Sequence, residues 1–429
     1  MTGVSQQADS GPLQRWVGMF HGKLARAGAW LFAGTLAGGV LGYVYQVVMG
    51  RMLSPQEYGV FSAMMALFAV LSAPHGTLMM VVSRKVSEYR ARHDAGSTAH
   101  FYRSVSTRTM LAATVLVIFA LPVAPHIQAS LKSHGIGSVY ALAALLWVSF
   151  PPIVNDAFLQ GLQRFSWFSF SSTLRILLKL VFSVALVALG LGVAGAVGGI
   201  VLASVAGWLA ALVPLYRPLA EGRGRPYRTA HLALRPVVPV LIANTAFVAM
   251  TQLDMVLVNY FFPPHEAGLY AAASVLGKAV MYLPVGIATA LFPMVAERHA
   301  RDESSAALLI QAVALAATLC ASGAVAYFLL GDWIIESFYG ASYRDAGDVL
   351  RYFGFAMMPM GLVMVAEYFL IAKGRVLFAY LFAVIAPLEM IAIYLRHDSL
   401  LTVVAIMGVC GLLLAVVGYS MLWRTYRRG

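Results

Sequence analysis

The segment Ser54-Pro-Gln-Glu-Tyr-Gly-Val-Phe-Ser-Ala63 occurs a second time in this chain, as Pro263-Pro-His-Glu-Ala-Gly-Leu-Tyr-Ala-Ala272. The offset is 209 residues, and it continues without a gap as far as Ala91 and Ala300. An imperfect repeat half the chain long predicts two homologous lobes that face each other. In membrane proteins this arrangement usually places a site at the lobe interface and moves one lobe against the other.

The composition places both lobes in a lipid bilayer. Of the 429 residues, 60% are hydrophobic and only 11% are charged, whereas a soluble domain carries about 25% charged residues. Cys320 and Cys410 lie inside apolar runs, which predicts buried free thiols and neither a disulfide nor a zinc site. The net charge of +12 would favour a nucleic-acid partner in a soluble protein. Here membrane orientation accounts for it, and no nucleic-acid partner is expected.

Twelve apolar segments have the length of membrane helices, which need about 20 residues each. They fall at about 28–50, 58–82, 108–127, 138–157, 169–190, 194–215, 237–262, 271–291, 307–330, 348–372, 376–395 and 399–422. The expected fold is an all-α integral membrane protein with about 12 transmembrane helices in two six-helix lobes. Because six is even, the lobes are expected to be parallel repeats, related by an axis along the membrane normal.

The polar segments between the spans predict the domain limits and the orientation. We expect an N-lobe at 28–216, a connector at 217–235 and a C-lobe at 236–423, flanked by an N-terminal segment, 1–27, and a tail, 424–429. Apolar and basic residues alternate helically from Leu13 to Leu24, which predicts an amphipathic helix on the membrane surface. Lysine and arginine number 22 on one side and 4 on the other, so both termini are expected in the cytoplasm.

Glycines and prolines predict local features of the helices. Gly34, Gly38 and Gly42 lie four residues apart in the first span, a spacing that lets another helix approach closely. Pro74 and Pro284 lie at nearly matching positions of the two lobes and are expected to kink or end their helices.

Several motifs resemble those of bacterial polysaccharide-transport flippases. The motifs are Gly34 to Gly42 followed by Gln46 to Gly59, then Gln160-Gly-Leu-Gln-Arg-Phe165, Gly268-Leu-Tyr-Ala-Ala-Ala273, Leu283-Pro284 and Phe292-Pro293. This family belongs to the multidrug/oligosaccharidyl-lipid/polysaccharide exporter superfamily, with the multidrug and toxin extrusion carriers and the peptidoglycan-precursor flippases. The resemblance covers nearly the whole chain. The chain lacks two further spans typical of the peptidoglycan-precursor flippases, which favours the polysaccharide branch.

The resemblance implies a carrier of the bacterial inner membrane that is not an enzyme and uses no cofactor. Such a carrier moves a polyprenyl-pyrophosphate-linked oligosaccharide from the cytoplasmic to the outer leaflet by alternating access, for surface polysaccharide biosynthesis. The implied partners are the lipid-linked oligosaccharide, membrane lipids and the polysaccharide polymerase or export proteins. The family fixes no site residue by motif.

Polar groups inside the spans are the candidates for substrate binding, because such groups are costly in lipid and usually face a cavity. Arg175 and Lys179 lie four apart on one helical face, where a pyrophosphate would relieve their repulsion. Snorkelling to the membrane surface is the alternative for this pair, and helix–helix hydrogen bonding is the alternative for the amides. The substrate-binding candidates are Arg175, Lys179, Lys278, Arg351, Asn244, Gln252 and Asn259.

Carboxylates inside the spans are the candidates for binding a coupling proton or sodium ion, and they are Glu367, Glu389 and Asp254. Ion pairs are the structural alternative. We expect Asp254 to pair with Lys278, Glu367 with a cation such as Lys373, and Asp156 with Arg164 or Arg175.

Two other functions are open at this point. A cation-coupled multidrug exporter of the same superfamily would bind cationic compounds, which the positive charge inside the spans disfavours. A membrane enzyme of polysaccharide assembly would need acid–base residues in a sizeable outer loop. The largest such loop, 331–347, is short.

Overall fold

The computed structural model describes residues 23–133, 135–227, 237–301, 305–372 and 379–426, and every regular element formed by these residues is helical. The twelve predicted spans correspond to twelve helices, numbered here in chain order. Their bounds are α1 Lys23–Met52, α2 Pro55–Ala91, α3 Ala95–Ala120, α4 Ile136–Gly161, α5 Phe165–Leu186, α6 Gly192–Glu221, α7 Val238–Phe261, α8 264–300, α9 Ala306–Tyr339, α10 Ala346–Ala372, α11 Ala379–Leu395 and α12 Leu400–Tyr426.

Length and apolarity alone identify nine candidate membrane spans in the described chain. One of them, Phe165–Glu221, is an antiparallel pair of helices, because the chain reverses at Gly190, whose φ is 86°. This pair is α5 and α6. The shorter apolar stretch Tyr380–Leu395 lies in α11, and α1 contains the first predicted span. The predicted fold class, with twelve membrane helices, is confirmed.

Two of the prolines interrupt helices where the sequence predicts it. Helix α2 breaks at Ala73, and Pro74 begins its second segment. Helix α8 consists of Pro264–Gly277, Ala279–Tyr282 and Val285–Ala300, and its second break falls at Leu283 and Pro284. A proline lacks the N–H of the helical hydrogen-bond pattern and clashes with the preceding turn, which explains both breaks.

The sequence repeat is also a structural repeat. Helices α1 and α7 end at Met52 and Phe261, and α2 and α8 begin at Pro55 and Pro264, so the offset stays at 209. The two copies of the motif pack against each other. A Cβ atom on Gly268 would lie 1.8 Å from the carbonyl oxygen of Pro55, and one on Gly59 would lie 2.8 Å from the nitrogen of Gly268. Glycine at both positions therefore lets the two backbones touch.

Hydrogen bonds between the lobes cluster at this end of the molecule, which we call the closed end (residues 50–59, 132, 262–268 and 337–343). Arg51 Nε donates to the Phe338 carbonyl at 2.7 Å, and the Tyr343 hydroxyl donates to the Leu53 carbonyl at 3.4 Å. Lys132 Nζ donates to the Phe262 carbonyl at 2.7 Å, and burial lowers the pKa of Lys132. These bonds hold the two lobes together at the closed end.

Aromatic rings fill the space between these hydrogen bonds. The Tyr58 hydroxyl lies 3.3 Å from that of Tyr339, and both tyrosines are buried. Tyr343 packs edge-on against the Tyr58 ring, with 6.0 Å between the ring centroids. The closed end is therefore sealed by side chains from both lobes.

The opposite end, which we call the open end, holds the ends of α2, α4 and α8 near residues 91, 161 and 300. One apolar core combines residues of both lobes, whereas a second, around Val86, Phe158 and Leu215, consists of N-lobe residues alone. Between the two ends, Asn244 Nδ2 of α7 donates to the Ala73 carbonyl at the break in α2, at 2.8 Å.

The first part of the predicted connector belongs structurally to the N-lobe. Helix α6 continues to Glu221, and the Tyr227 ring then stacks on His100 of α3 with 3.7 Å between the centroids. The exact limits of the lobes stay a prediction. The predicted surface helix before residue 23 and the expected partner Lys373 lie outside the described residues.

Candidate functional site

A cavity of about 410 Å³ lies between the two lobes, lined by α1, α2, α5, α7 and α8. Six pairs of its lining residues are separated by the repeat offset, so the cavity lies on the axis that relates the lobes. The pairs are Tyr43 and Gln252, Gln46 and Met255, Ser62 and Ala271, Met65 and Ser274, Ala66 and Val275, and Ala69 and Lys278.

Three glycines of α1 give the cavity its width. Gly38, Gly39 and Gly42 line it, and no atom lies within 4 Å of the position that a Cβ atom would take at Gly39 or Gly42. The glycine spacing predicts that another helix packs closely against α1, and at Gly42 this prediction is wrong. Gly38 does face a helix, since its Cβ position is 3.1 Å from Ile176 of α5.

Lys179 of α5 brings an ammonium group to the N-lobe side of the cavity. Its Nζ lies 3.9 Å from the centroid of the Tyr45 ring, a cation–π contact. Among the described residues Lys179 forms no ion pair. Its positive charge is therefore available to an anion that enters the cavity.

Lys278 brings a second ammonium group from the C-lobe, but this charge is already neutralised. Its Nζ lies 2.9 and 2.8 Å from the two carboxylate oxygens of Asp254. The Tyr270 hydroxyl also donates to Asp254, at 2.7 Å. The expected ion pair between α7 and α8 is confirmed, and Asp254 is fully buried.

The other two ion-coupling candidates have different surroundings. Glu389 of α11 is fully buried, and neither of its carboxylate oxygens has a hydrogen-bond partner among the described residues. Its charged neighbours are Asp254 and Lys278. Glu367 of α10 is partly buried. An ion-coupling role for any of the three carboxylates stays a prediction.

Arg175 and Arg351 lie outside the cavity lining. Arg175 forms a two-pronged ion pair with Asp156, one of the two pairings expected from the sequence, and its stem packs on Gly207 of α6. Arg175 and Lys179 therefore do not face the cavity together. Arg351 binds Asp332 and Asp348 near the closed end. A role in substrate binding stays a prediction for both arginines.

Of the three amide side chains predicted to bind substrate, one lines the cavity and two lie elsewhere. Gln252 lines the cavity, Asn244 bridges the lobes, and Asn259 is buried with its Oδ1 unpartnered among the described residues. The other polar lining residues are not among the candidates predicted from the sequence, and they are Tyr43, Gln46, Ser62, Ser274 and Tyr282. Applying the repeat offset to the predicted Gln252 would have pointed to Tyr43.

Comparison with solved structures shows the fold. An inward-facing multidrug resistance MATE family transporter of the MOP superfamily superposes with a TM-score of 0.78 at 14% identity, covering 90% of this chain and 93% of the other. The lipid II flippase MurJ in an inward closed conformation gives 0.73 at 13% identity, covering 91% and 87%. An outward-facing MATE family transporter gives 0.65 at 14% identity, covering 96% and 97%.

Comparison with curated protein sequences gives no match. Residues 24–299, which include the whole N-lobe and the first two helices of the C-lobe, match a family described as polysaccharide biosynthesis protein. The match spans more than half of the chain, and both copies of the repeat that line the cavity fall within it. This multi-pass membrane protein therefore belongs to the polysaccharide biosynthesis protein family.

Proposed function

We propose that the protein is a flippase that moves a polyprenyl-pyrophosphate-linked oligosaccharide from the cytoplasmic to the outer leaflet. The observation that carries this proposal is the chemistry of the cavity. Lys179 offers a charge that has no acidic partner in the described part of the chain, and Gln46, Gln252 and Ser274 line the same cavity with hydrogen-bonding groups. An ammonium group suits a pyrophosphate, and amides and hydroxyls suit a sugar. The side-chain amide oxygen of Gln46, Oε1, is buried and unpartnered among the described residues, so it can accept such a bond.

Transport would proceed by alternating access. In the orientation given by the lysine and arginine distribution, the open end faces the cytoplasm, and both termini lie on the cytoplasmic side of the bacterial inner membrane. The sugar-pyrophosphate head would enter the cavity from that side while the lipid tail stays in the hydrocarbon. Rocking of the lobes would then separate the closed end and release the head outside. Polymerase or export proteins would take up the glycan there.

The cavity favours this cargo over the two alternatives. The described residues that line it include no acidic side chain, whereas a pocket for cationic drugs is expected to carry one. A membrane enzyme of polysaccharide assembly would need an acid–base pair in contact with its substrate. Asp254, the carboxylate that binds the lining residue Lys278, is fully buried.

The proposal is tested by deleting the gene in a strain that makes surface polysaccharide. Lipid-linked repeat units should accumulate on the cytoplasmic face, and surface polysaccharide should disappear until the gene is restored. Normal surface polysaccharide in the deletion strain would exclude this function. A changed resistance to cationic compounds with normal polysaccharide would favour the drug exporter.

Filling the cavity should block transport without unfolding the protein. In Gly42→Leu the new side chain enters open space, and stability should not fall, because glycine disfavours a helix by about 1 kcal/mol relative to good helix formers. Surface polysaccharide in the complemented strain should fall tenfold or more, as expected when about 1.4 kcal/mol of binding free energy is lost. Gly286→Leu on α8 is the matched control, since its Cβ position is also open but lies outside the lining. Equal losses in both variants would contradict the prediction.

A proton is the coupling ion that we propose, with Glu389 as its carrier. An ionised carboxylate without partners is very costly in a buried site, which favours the protonated form here. The titratable and charged groups around it are Asp254, Lys278, Tyr270 and Cys410. Glu389→Gln, a neutral isostere, should fold normally but make transport independent of the proton gradient. The measurement is polysaccharide export with and without a protonophore. If export by Glu389→Gln still falls when the protonophore is added, Glu389 is not the proton carrier.

A further inference from the structure

The two walls of the cavity differ in charge although they derive from the same repeat. Tyr45 and Asp254 occupy equivalent positions, 209 residues apart, and each holds a lysine. On the N-lobe wall, formed by α1, α2 and α5, the Tyr45 ring lies under Lys179. On the C-lobe wall, formed by α7 and α8, the Asp254 carboxylate binds Lys278. An aromatic ring holds an ammonium group without cancelling its charge, whereas a carboxylate cancels it.

Tyr45 is fixed firmly enough to place the lysine. It is 1% exposed. The Ala196 carbonyl accepts from Ser183 Oγ at 2.8 Å and from the Tyr45 hydroxyl at 3.4 Å, and the two hydroxyl oxygens lie 3.3 Å apart. Gly199 of α6 allows this arrangement, since a Cβ atom there would lie 2.3 Å from the Ser183 nitrogen. The contact between α5 and α6 thus determines where the Tyr45 ring lies.

We infer that the N-lobe wall alone anchors the anionic group of the cargo, through Lys179 positioned by Tyr45, and that the C-lobe wall meets its uncharged part. This inference rests on the proposed function, because it assumes a cargo that carries phosphate. Besides Lys278, the polar groups with which the C-lobe wall lines the cavity are Gln252, Ser274 and Tyr282, and they suit a sugar. Tyr45 is a positioning residue, since it acts on the cargo through Lys179.

The test is a binding measurement on the purified full-length protein in detergent. The probes are geranyl diphosphate and geraniol, which share an apolar tail and differ in charge, titrated by calorimetry into the same preparation. Lys179→Met should weaken geranyl diphosphate binding about tenfold or more, because the variant loses the hydrogen bonds between the ammonium group and the charged diphosphate. Geraniol carries no charge, so its binding should change less than about twofold. Lys179→Arg should restore most of the difference between the two probes.

Two further sets of variants test whether the C-lobe wall contributes to anion binding and whether Tyr45 positions Lys179. The double variant Asp254→Asn/Lys278→Met keeps the net charge of the C-lobe wall and should leave the ratio of the two affinities unchanged. Tyr45→Leu should lower that ratio roughly threefold or more through loss of the cation–π contact, and Tyr45→Phe, which keeps the ring, should not. A purely structural role for Tyr45 would lower stability without changing the ratio.

The outcomes distinguish the inference from the function on which it rests. If the unaltered protein binds geranyl diphosphate no better than geraniol, both the anionic cargo and its anchor are wrong. If it prefers the diphosphate and Lys179→Met keeps that preference, the anchor is elsewhere and only the inference falls. If Lys179→Met and the C-lobe double variant lose the preference for geranyl diphosphate to the same extent, the assignment of the anchor to a single wall is likewise wrong.

Discussion

Gly268→Ala should separate the lobes at the closed end and reduce transport. The new Cβ atom would lie 1.8 Å from the Pro55 carbonyl oxygen, and both partners belong to backbone. Overpacking of this kind costs about 1–3 kcal/mol. A bias of that size changes the balance between two conformations about 5- to 150-fold. The protein should therefore favour the arrangement in which the two copies of the motif are apart.

This shift can be measured by labelling a cysteine at the closed end. Leu53 is 4% exposed there, so Leu53→Cys should react slowly with a membrane-impermeant maleimide, in a background where Cys320 and Cys410 are replaced by alanine. Adding Gly268→Ala should make the reaction faster, and surface polysaccharide should fall in parallel. Gly286→Ala, with an open Cβ position on the same helix, is the control. Slow labelling with normal transport in Gly268→Ala would show that the contact is not a barrier to movement.

Asp254→Asn should be among the most destabilising single substitutions in the C-lobe. It would leave the Lys278 ammonium group buried without its partner, and breaking a buried ion pair in this way costs about 3–5 kcal/mol. Replacing both members by neutral residues is often close to neutral, so adding Lys278→Met to Asp254→Asn should restore most of the stability. Thermal unfolding of the three proteins in detergent measures both effects.

Glu389 provides an internal control for this prediction. It is the other acidic neighbour of Lys278, so in Asp254→Asn it can ionise and partly replace the lost carboxylate. The cost of Asp254→Asn should therefore be larger in a Glu389→Gln background. Equal costs in both backgrounds would mean that Glu389 does not exchange partners with Asp254. Equal stability of Asp254→Asn and the double variant would mean that the ammonium group is not left uncompensated.

The sequence predicts the architecture well because hydropathy and the repeat act over long stretches. Twelve spans, their pairing into two lobes and a site between them follow from apolar length and from one offset. The breaks at Pro74 and Pro284 follow from the chemistry of proline. These features do not depend on how any single side chain is oriented.

The site is predicted less completely, because it depends on the rotation of each helix. Lys179 and Arg175 share a helical face, yet only Lys179 reaches the cavity, since Asp156 and Gly207 hold the arginine on another side. The spacing of Gly38 and Gly42 does not reveal whether a helix or open space lies opposite. Tyr45 was missed because an aromatic residue in an apolar span is indistinguishable from core until Lys179 is seen above its ring.

The contact between Gly59 and Gly268 bears on the origin of the chain. Each glycine touches the backbone of the other copy beside the axis that relates the halves. A gene encoding one half would have made a polypeptide whose identical copies could associate side by side through this glycine, as a two-fold dimer. Fusion of two such genes would make assembly from separate subunits unnecessary and free each half to diverge. Divergence of that kind accounts for a tyrosine in one half and an aspartate in the other at the same place.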